Sequence, residues 1–244
     1  MINIGTSGWC YKHWMNNFYE GINPPNSLIS WYTKSFRTVE INNSFYRLPS
    51  EHNFQTWHDI TPDNFIFAVK APRFITHVKK LIISPEYNGS FFKNVKGLGH
   101  KLGPILFQLP PNMKPNPERF RDFISSIPRE HKYVFEFRNP AWVNDEIMEI
   151  MGRPRVHFCI HDMKGQQPIQ TIGNMVYIRF HGTTEMYGGG YSDATLREWA
   201  IKIKVWSLTG KSVYCYFNND SMGWAPKNAV SLMKFMRELE WARA

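Results

Sequence analysis

Charged and imidazole side chains recur where short apolar runs of this sequence end. Glu40 stands near the end of one run, Glu136 and Arg138 close another, and His161 and His181 close two more. Carboxylates, guanidinium groups and imidazoles bind anions, form ion pairs and transfer protons near neutral pH. The spacing therefore predicts one chemically active region, formed by the ends of several strands.

The apolar runs themselves predict eight strands. They begin near residues 2, 38, 65, 104, 133, 156, 175 and 213, and helical segments fit between most of them. Long connections between strands indicate parallel strands joined by crossover helices. Eight such units in 244 residues predict a single (β/α)8 TIM barrel over residues 1–244. Active sites of TIM-barrel enzymes lie at the carboxyl ends of the strands, which we call the mouth.

Two crossovers of this barrel depart from the average length. Residues 163–174 are few and contain Gly165, Pro168 and Gly173, so we predict a loop or a reduced sixth helix there. The stretch from Arg73 to Gly103 is long, and we expect an inserted loop in the third crossover. The other crossovers predict helices near residues 27–36, 51–59, 118–126, 142–151, 194–208 and 227–239.

Side-chain alternation along each strand separates an apolar set from a polar set. If the apolar set faces the helices, the interior set is Thr38, Glu40, Asn42, Ile66, Ala68, Lys70, Gln108, Val134, Glu136, Arg138, His157, Cys159, His161, Tyr177, Arg179, His181, Tyr214, Tyr216 and Asn218. TIM-barrel interiors are usually filled by branched apolar residues, and a buried ion is costly unless it is paired. The polar set therefore forms a salt-bridge network, or it lines a wet mouth that binds a polar ligand.

Seven motifs are spread over nearly the whole chain. They are GTSGWCY (5–11), VEINNSFYRLP (39–49), ITHVKKL (75–81), LGPILFQLPP (102–111), VFEFR (134–138), YIRFHG (177–182) and YFNND (216–220). Together they resemble the YecE-like family, a domain of unknown function that carries the number 72. The resemblance implies a TIM barrel and no established reaction. An Asp that ends the sixth strand in that family is present as Asp162, here after His161.

Anion binding is the leading hypothesis for the mouth. Lys70, Arg138 and Arg179 would hold a small anionic or phosphorylated substrate, since guanidinium groups match phosphate bidentately. The glycines at 188–190, which precede a predicted helix start, either approach an anion or form a flexible lid. Polar and aromatic residues would contact the rest of the substrate, namely Gln108, Asn42, Asn218, Trp9, Tyr11, Tyr46, Tyr187 and Tyr191.

Proton transfer is assigned to imidazoles and carboxylates of the same mouth. His161 or His181 would move the proton, and Glu136 or Glu40 would orient the imidazole. Asp220 is a further acid–base candidate. The predicted enzyme is a hydrolase, lyase or isomerase that acts on a phosphorylated substrate.

Two other functions stay open on the sequence. A non-catalytic barrel that binds nucleic acid or senses a metabolite would use the same basic mouth. A metal-dependent hydrolase resembling abasic-site endonucleases would place a divalent metal between Glu136, His161 and His181. Arg138 and Arg179 would repel a cation there, so no metal or other cofactor is predicted.

Composition restricts the partners and the compartment. The net charge is +9, with 29 Lys and Arg against 20 Asp and Glu, which favours anionic partners, nucleic acid included. No apolar stretch approaches the length of a membrane span, so no membrane partner is expected. Three cysteines without a C-x-x-C pair indicate a reducing, cytoplasmic location. Nothing in the sequence indicates the oligomeric state.

Overall fold

The computed structural model of the chain describes residues 1–15, 17–21, 28–163, 171–184 and 187–241. Strands and helices alternate along these residues. The strands are β1 (Ile2–Thr6), β2 (Thr38–Ile41), β3 (Ile66–Lys70), β4 (Leu102–Leu109), β5 (Tyr133–Phe137), β6 (Val156–His161), β7 (Met175–Phe180) and β8 (Ser212–Phe217). The α-helices are α1 (Leu28–Tyr32), α2 (Asn43–Tyr46), α3 (Glu51–Asp59), α4 (Pro85–Val95), α5 (Pro117–Ser126), α6 (Asp145–Met151), α7 (Asp193–Leu208) and α8 (Trp224–Trp241).

The eight strands form one sheet in the order β1-β8-β7-β6-β5-β4-β3-β2. Every pairing whose register is described is parallel. An isolated parallel bridge between Ser7 and Glu40 joins β1 and β2, which are the first and last strands of that order. The prediction of an α/β fold with eight parallel strands, of the TIM-barrel type, is confirmed.

The described residues group into two compact units. The first unit takes its residues from Met1–Glu40, Ile160–Gln166 and Asn174–Ala244, and the second from Ile41–Cys159 and Gln167–Gly173. The first therefore holds β1, β7, β8 and most of β2, while the second holds β3, β4, β5 and most of β6. The prediction of a single domain over residues 1–244 stays a prediction.

Packing in the first unit agrees with the predicted alternation of β7 and β8. Phe180 and Phe217 stack with ring centroids 4.5 Å apart, and Trp199 of α7 meets the Phe180 ring at 5.1 Å. On the opposite face, Tyr177 donates a hydrogen bond to Glu40 of β2. The apolar set thus faces a helix, and the polar set faces another strand.

Gly5 allows β1 to pass close to the start of β2. A Cβ atom at this position would lie 2.2 Å from the carbonyl oxygen of Thr38, so any larger residue would push the strands apart. The hydroxyl of Tyr32 occupies the same region, where it donates to the Thr38 carbonyl oxygen at 3.1 Å. Close packing of β1 against β2 therefore explains Gly5, the first glycine of the GTSGWCY motif.

Aromatic rings form the core of the second unit on the helix side of β5. Phe135 meets Phe120 of α5 at 4.9 Å, and Phe137 stacks on Trp142 at 5.1 Å. Trp142 is fully buried, and its indole N–H donates to the carbonyl oxygen of Met113 at 2.8 Å. Burial of such rings contributes strongly to the core, which is why Trp142 belongs to the fold and not to the mouth.

The long third crossover contains more than a loop. A π-helix covers Phe74–Val78, α4 follows, and a 3-10 helix covers Lys96–Lys101. The segment 79–84 between the π-helix and α4 is irregular and includes Lys80 and Leu81 at positive φ. Residues 164–170 of the sixth crossover lie outside the described residues, and so does most of the predicted reduced helix.

Local capping explains where the predicted helices begin. The Ser50 side chain accepts from the Asn53 N–H and completes a capping box at the start of α3. Ser192 caps α7, as predicted, by accepting from the Thr195 N–H, while Asn144 caps α6 and so moves its start to Asp145. α1 ends at Tyr32, short of the predicted Phe36, and α8 begins at Trp224, ahead of its predicted start.

None of the helices described is both long and apolar enough to cross a membrane.

Candidate functional site

A buried ion pair occupies the polar face of the first unit. We call Ser7, Glu40, Tyr177 and Arg179 the Glu40 cluster; the first is 1% exposed and the other three are fully buried. Arg179 Nη2 and Nε donate to Glu40 Oε1 at 2.8 and 3.2 Å. Ser7 Oγ donates to Oε1 at 2.6 Å, and the Tyr177 hydroxyl donates to Oε2 at 2.7 Å.

The Glu40 cluster compensates its own charges. Both carboxylate oxygens of Glu40 accept hydrogen bonds, and the attraction between ions is strong in a water-excluded site. Burial and the Glu40 carboxylate raise the pKa of Tyr177 well above its ordinary value, so this phenol stays protonated. The salt-bridge network predicted as one alternative is present here.

Three other predicted site residues meet in the first unit. His161 and His181 are almost completely buried, with ring centroids 6.3 Å apart in an edge-on arrangement. Asn218 Nδ2 donates to His181 Nδ1 at 3.2 Å. Tyr187 is 36% exposed, and its ring lies 5.8 Å from the His181 ring. The fold thus brings His161, His181, Asn218 and Tyr187 together.

Asp162 and Tyr191 brace the segment that follows β7. The Tyr191 hydroxyl donates to Asp162, and Asp162 Oδ1 also accepts from the His181 N–H at 2.8 Å. Burial raises the pKa of Asp162, while burial and the Asp162 carboxylate raise the pKa of Tyr191. The Gly182 N–H donates to the Tyr191 hydroxyl at 2.8 Å. Tyr191, predicted as a substrate contact, forms hydrogen bonds with Asp162 and Gly182 within the fold.

The glycines at 188–190 are explained by close packing. A Cβ atom on Gly182 would lie 1.9 Å from the Gly188 carbonyl oxygen, and one on Gly190 would lie 2.4 Å from the Trp224 ring. The Thr183 N–H donates to the Gly188 carbonyl oxygen at 3.0 Å, which ties the two sides of the loop together. The loop needs glycine for its own fold, whatever it binds.

Asp220 lies beside the segment after β1. Its backbone carbonyl oxygen accepts from the Trp14 indole at 3.2 Å and lies 2.6 Å from His13 Nε2. Burial raises the pKa of its carboxyl group. Tyr11 donates to the Ser7 carbonyl oxygen, and the half-buried Trp9 accepts from Tyr19 through its own carbonyl oxygen. These predicted site residues all have partners within the fold.

A second polar group lies at the carboxyl end of β3 in the second unit. Lys70, the last residue of β3, is 7% exposed, and its Nζ lies 4.0 Å from the centroid of the Phe45 ring. The His77 ring meets the same Phe45 ring edge-on at 5.0 Å. His77 Nδ1 lies 2.8 Å from Thr76 Oγ1. A cation and an imidazole therefore share one aromatic surface.

Positive charge surrounds His77. Its pKa is lowered from 6.5 to about 4, first by burial and then by the charges of Lys70, Arg73 and Arg138. We call Phe45, Lys70, Arg73, His77 and Arg138 the His77 cluster. Its imidazole is neutral at pH 7, because a proton there would be repelled by all three cations.

Arg138 has a carboxylate partner, and Arg73 is exposed. Arg138 Nε donates to Glu136 Oε1 in a pair that is nearly inaccessible to water. Glu136 also contacts Cys159 Sγ at 3.9 Å and pairs in register with the half-buried Gln108 of β4. Glu136 thus lies beside Arg138 and next to Gln108 in the sheet, and a role of these residues in binding a substrate stays a prediction.

Two further predicted contacts lie on α2 and just before it. Asn42 is half-buried at the N-cap position of α2, where its side chain makes no capping hydrogen bond. Tyr46 is 78% exposed, and its ring lies 5.1 Å from Phe45. Tyr46 therefore extends the aromatic surface of the His77 cluster toward solvent.

The sequence prediction missed Arg73 and His77. Both follow β3, and His77 lies in the π-helix Phe74–Val78. π-Helical turns are rare and occur frequently at functional sites. The signal was present in the ITHVKKL motif, which carries an imidazole directly after a strand that ends in Lys70.

The donor sets for a metal ion are sparse. Within the part of the chain that the structure describes, no group of three or more His, Cys, Asp and Glu side chains is arranged to hold a metal. The metal-dependent alternative thus finds no ready set of ligands among those residues.

Comparison with known proteins identifies one family. A family model described as "Protein of unknown function DUF72" matches residues 3–243. The UPF0759 protein YecE of Escherichia coli (strain K12) is 29% identical, over 98% of this chain and 93% of its own length. The UPF0759 protein YunF of Bacillus subtilis (strain 168) is 24% identical, over 97% of this chain and 95% of its own length.

A solved structure of the same family has the same fold. The DUF72 family protein TM1631 of Thermotoga maritima MSB8 superimposes with a TM-score of 0.83 at 28% identity, over 98% of this chain and 99% of its own. A DUF72 family protein of Enterococcus faecalis V583 superimposes with a TM-score of 0.79 at 20% identity, over 97% of this chain and 96% of its own. These likenesses support the TIM-barrel-like fold and name no substrate. This chain belongs to the DUF72 family, whose function is unknown.

Proposed function

We propose that this protein binds a small anionic ligand, of the phosphorylated class, at the His77 cluster. The observation that supports this is that Lys70 and His77 share the Phe45 ring, while the charges of Lys70, Arg73 and Arg138 all act on His77. Ligands of parallel α/β folds bind at the carboxyl ends of the strands, and Lys70 ends β3 while Arg138 directly follows β5. A negative ligand would relieve the repulsion among these cations.

Each member of the cluster has a distinct role in the proposal. The exposed Arg73 contacts the ligand first and matches two phosphate oxygens bidentately. Lys70 supplies a point charge, and the neutral His77 supplies a hydrogen bond. Phe45 and the exposed Tyr46 offer a ring surface to the uncharged part of the ligand.

Arg73 replaces Arg179 as a guanidinium of the proposed anion clamp. Arg179 is fully buried and donates two hydrogen bonds to Glu40, so binding a ligand would first require breaking that pair. Breaking a buried pair typically costs about 3–5 kcal/mol, which few single contacts with a ligand offset. Arg138 is likewise paired with a buried carboxylate, so in this proposal it contributes its charge to the field at His77 and makes no direct contact with the ligand.

Proton transfer by His161 or His181 stays a separate prediction about the first unit, where Asn218 contacts His181. The reaction class stays a prediction among hydrolase, lyase and isomerase. Binding alone, as in a metabolite sensor or a nucleic-acid-binding barrel, requires only the cation cluster.

The experiment that tests the proposal is calorimetric titration with inorganic pyrophosphate. Tag-free wild-type protein should bind it, and Arg73→Gln and Lys70→Met should each weaken binding about tenfold or more, since a hydrogen bond to a charged group contributes about 1.5–3 kcal/mol. Arg197→Gln is the matched control, because it removes the same charge from an exposed pair with Glu238. This control should bind like the wild type.

Two results would count against the proposal. Equal weakening in Arg73→Gln and Arg197→Gln would indicate attraction by net charge alone. Failure to bind pyrophosphate, together with tight and steeply salt-dependent binding of a single-stranded oligonucleotide, would favour the nucleic-acid alternative.

A further inference from the structure

A cleft of about 370 Å³ lies in the second unit, at the amino ends of β5 and β6. Tyr133, the first residue of β5, and Val156, the first residue of β6, both line it. Arg138 of the His77 cluster follows the other end of β5, and the four steps from Tyr133 to Phe137 extend about 13 Å. The cleft is therefore separate from the proposed anion site.

The cleft has an apolar floor and a basic rim. Ile124, Ile127 and Val156 contribute to the floor, and most of its exposed lining is apolar. Arg129, Arg153 and Arg155 contribute the rim, and all three are exposed. A volume of this size is at the lower end of the range for small-molecule sites, which is about 300–1,000 Å³.

The rim arginines are available to a ligand. No carboxylate among the described residues lies within ion-pair distance of their guanidinium groups. Arg153 Nη1 donates to Ser125 Oγ at 3.0 Å, a neutral partner that an anion can replace. Glu130 acts on the nearby Tyr133 phenol, and its Oε1 lies 3.8 Å from Nε2 of His131, an imidazole whose pKa is lowered first by burial. Among the residues that the structure describes, the three arginines of the rim thus have no carboxylate within ion-pair distance.

One of these arginines, Arg155, has a strained backbone conformation. Arg155 has φ of 72°, in the left-handed region that a residue with a Cβ rarely adopts. Its carbonyl oxygen accepts from the Tyr133 N–H at 2.8 Å, which joins the strained residue to the start of β5. Such strain persists only where the surroundings enforce it, and residues of this kind cluster at binding sites.

We propose that this cleft binds a small organic phosphate ester whose body is compact and apolar. The floor would bury the apolar body, and two guanidinium groups of the rim would hold the phosphate oxygens bidentately. Inorganic phosphate lacks the body, and a neutral analogue lacks the charge. Each should bind more weakly than a ligand that carries both.

Phenyl phosphate is the probe that tests this site. In the Arg73→Gln background, which weakens the proposed anion site, calorimetry should detect one binding event for phenyl phosphate. Phenol and inorganic phosphate should each bind at least about tenfold more weakly, because each loses one of the two contributions. Arg153→Gln and Arg155→Gly should each weaken phenyl phosphate about tenfold or more; glycine suits the positive φ, so Arg155→Gly removes the charge without adding strain.

The controls separate the two proposed sites. Arg197→Gln in the same background should leave phenyl phosphate binding unchanged. Equal affinity for phenyl phosphate and inorganic phosphate would overturn the proposal of a combined apolar and basic site. Unchanged binding after both Arg153→Gln and Arg155→Gly would also overturn it, even if pyrophosphate binds at the His77 cluster as proposed.

Discussion

Two polar clusters at strand ends of this protein treat charge in opposite ways. In the Glu40 cluster, a fully buried carboxylate accepts from Arg179, Tyr177 and Ser7, so the charges compensate within the fold. In the His77 cluster, burial first and then the charges of Lys70, Arg73 and Arg138 lower the pKa of the imidazole to about 4. The first arrangement surrounds a carboxylate with internal donors, while in the second the charges of three cations act on one neutral imidazole.

The difference teaches that a polar strand end is not by itself a binding site. From the sequence alone, both Arg179 and Lys70 are predicted to lie in the mouth. Arg179 donates to a buried carboxylate, whereas Lys70 lies over an aromatic ring and acts, with Arg73 and Arg138, on a half-buried imidazole. We therefore expect a ligand where several cations act on one imidazole, and a loss of stability where a buried ion pair is broken.

Breaking the Glu40 cluster should have the largest effect on stability. Glu40→Gln leaves the Arg179 charge buried without its ion partner, and we expect the free energy of unfolding to fall by about 3–5 kcal/mol. Urea denaturation at pH 7 measures it. Glu40→Gln combined with Arg179→Met should recover part of this loss, since the double variant leaves no buried charge behind. A loss below about 1 kcal/mol in Glu40→Gln would show that the pair is not needed for stability.

The His77 cluster should give the protein a pH-dependent stability. His77 has a folded-state pKa of about 4, below its ordinary 6.5, so between these values the unfolded chain binds a proton that the folded chain does not. Stability attributable to His77 is thus full above pH 6.5 and falls as the pH drops toward 4. His77→Gln should reduce the loss of unfolding free energy between pH 7 and pH 4 by about 1–2 kcal/mol.

Paired urea titrations of wild type and His77→Gln at several pH values check this expectation. The difference between the two proteins isolates His77 from the other groups that titrate in acid. His52→Gln is a matched control on the exposed surface of α3. An identical pH profile for wild type and His77→Gln would contradict the account.

Removing a single cation from the His77 cluster should have the smallest effect on stability. Arg73 is exposed, so Arg73→Gln should change the free energy of unfolding by no more than about 0.5 kcal/mol. The same variant should raise the pKa of His77, because one repelling charge is gone. Denaturation and a histidine titration measure the two effects. A large loss of stability would indicate that Arg73 supports the fold instead of serving a ligand.

The sequence predicted the strands well for a physical reason. Successive side chains of a strand point to opposite faces, and here apolar and polar residues alternate, so the opposite directions of Phe180 and Arg179 follow from their neighbours in the chain. Partner choice did not follow, because Glu40 and Arg179 are 139 positions apart and their contact depends on sheet closure. The Gly188–Gly190 segment was read as a phosphate loop or a lid, and its packing against Trp224 was invisible in the sequence.

Arg73 and His77 escaped prediction because they lie outside any periodic element. The interior set was derived from alternation within strands, and both residues follow the end of β3. A π-helix has no apolar periodicity that sequence reading recognises. Polar residues in the first turns after a strand therefore need the same attention as the strand ends themselves.

The pKa of His77 is the most direct measurement of the central claim. Histidine-selective ¹³C labelling, with the His77→Gln spectrum as assignment, gives this pKa by NMR with and without saturating inorganic pyrophosphate. The account predicts a pKa near 4 in the free protein and a higher pKa on binding, since the anion offsets the charges of Lys70, Arg73 and Arg138 while the burial that lowers this pKa most remains. A free-state pKa near 6.5, or a pKa that pyrophosphate leaves unchanged, would contradict it.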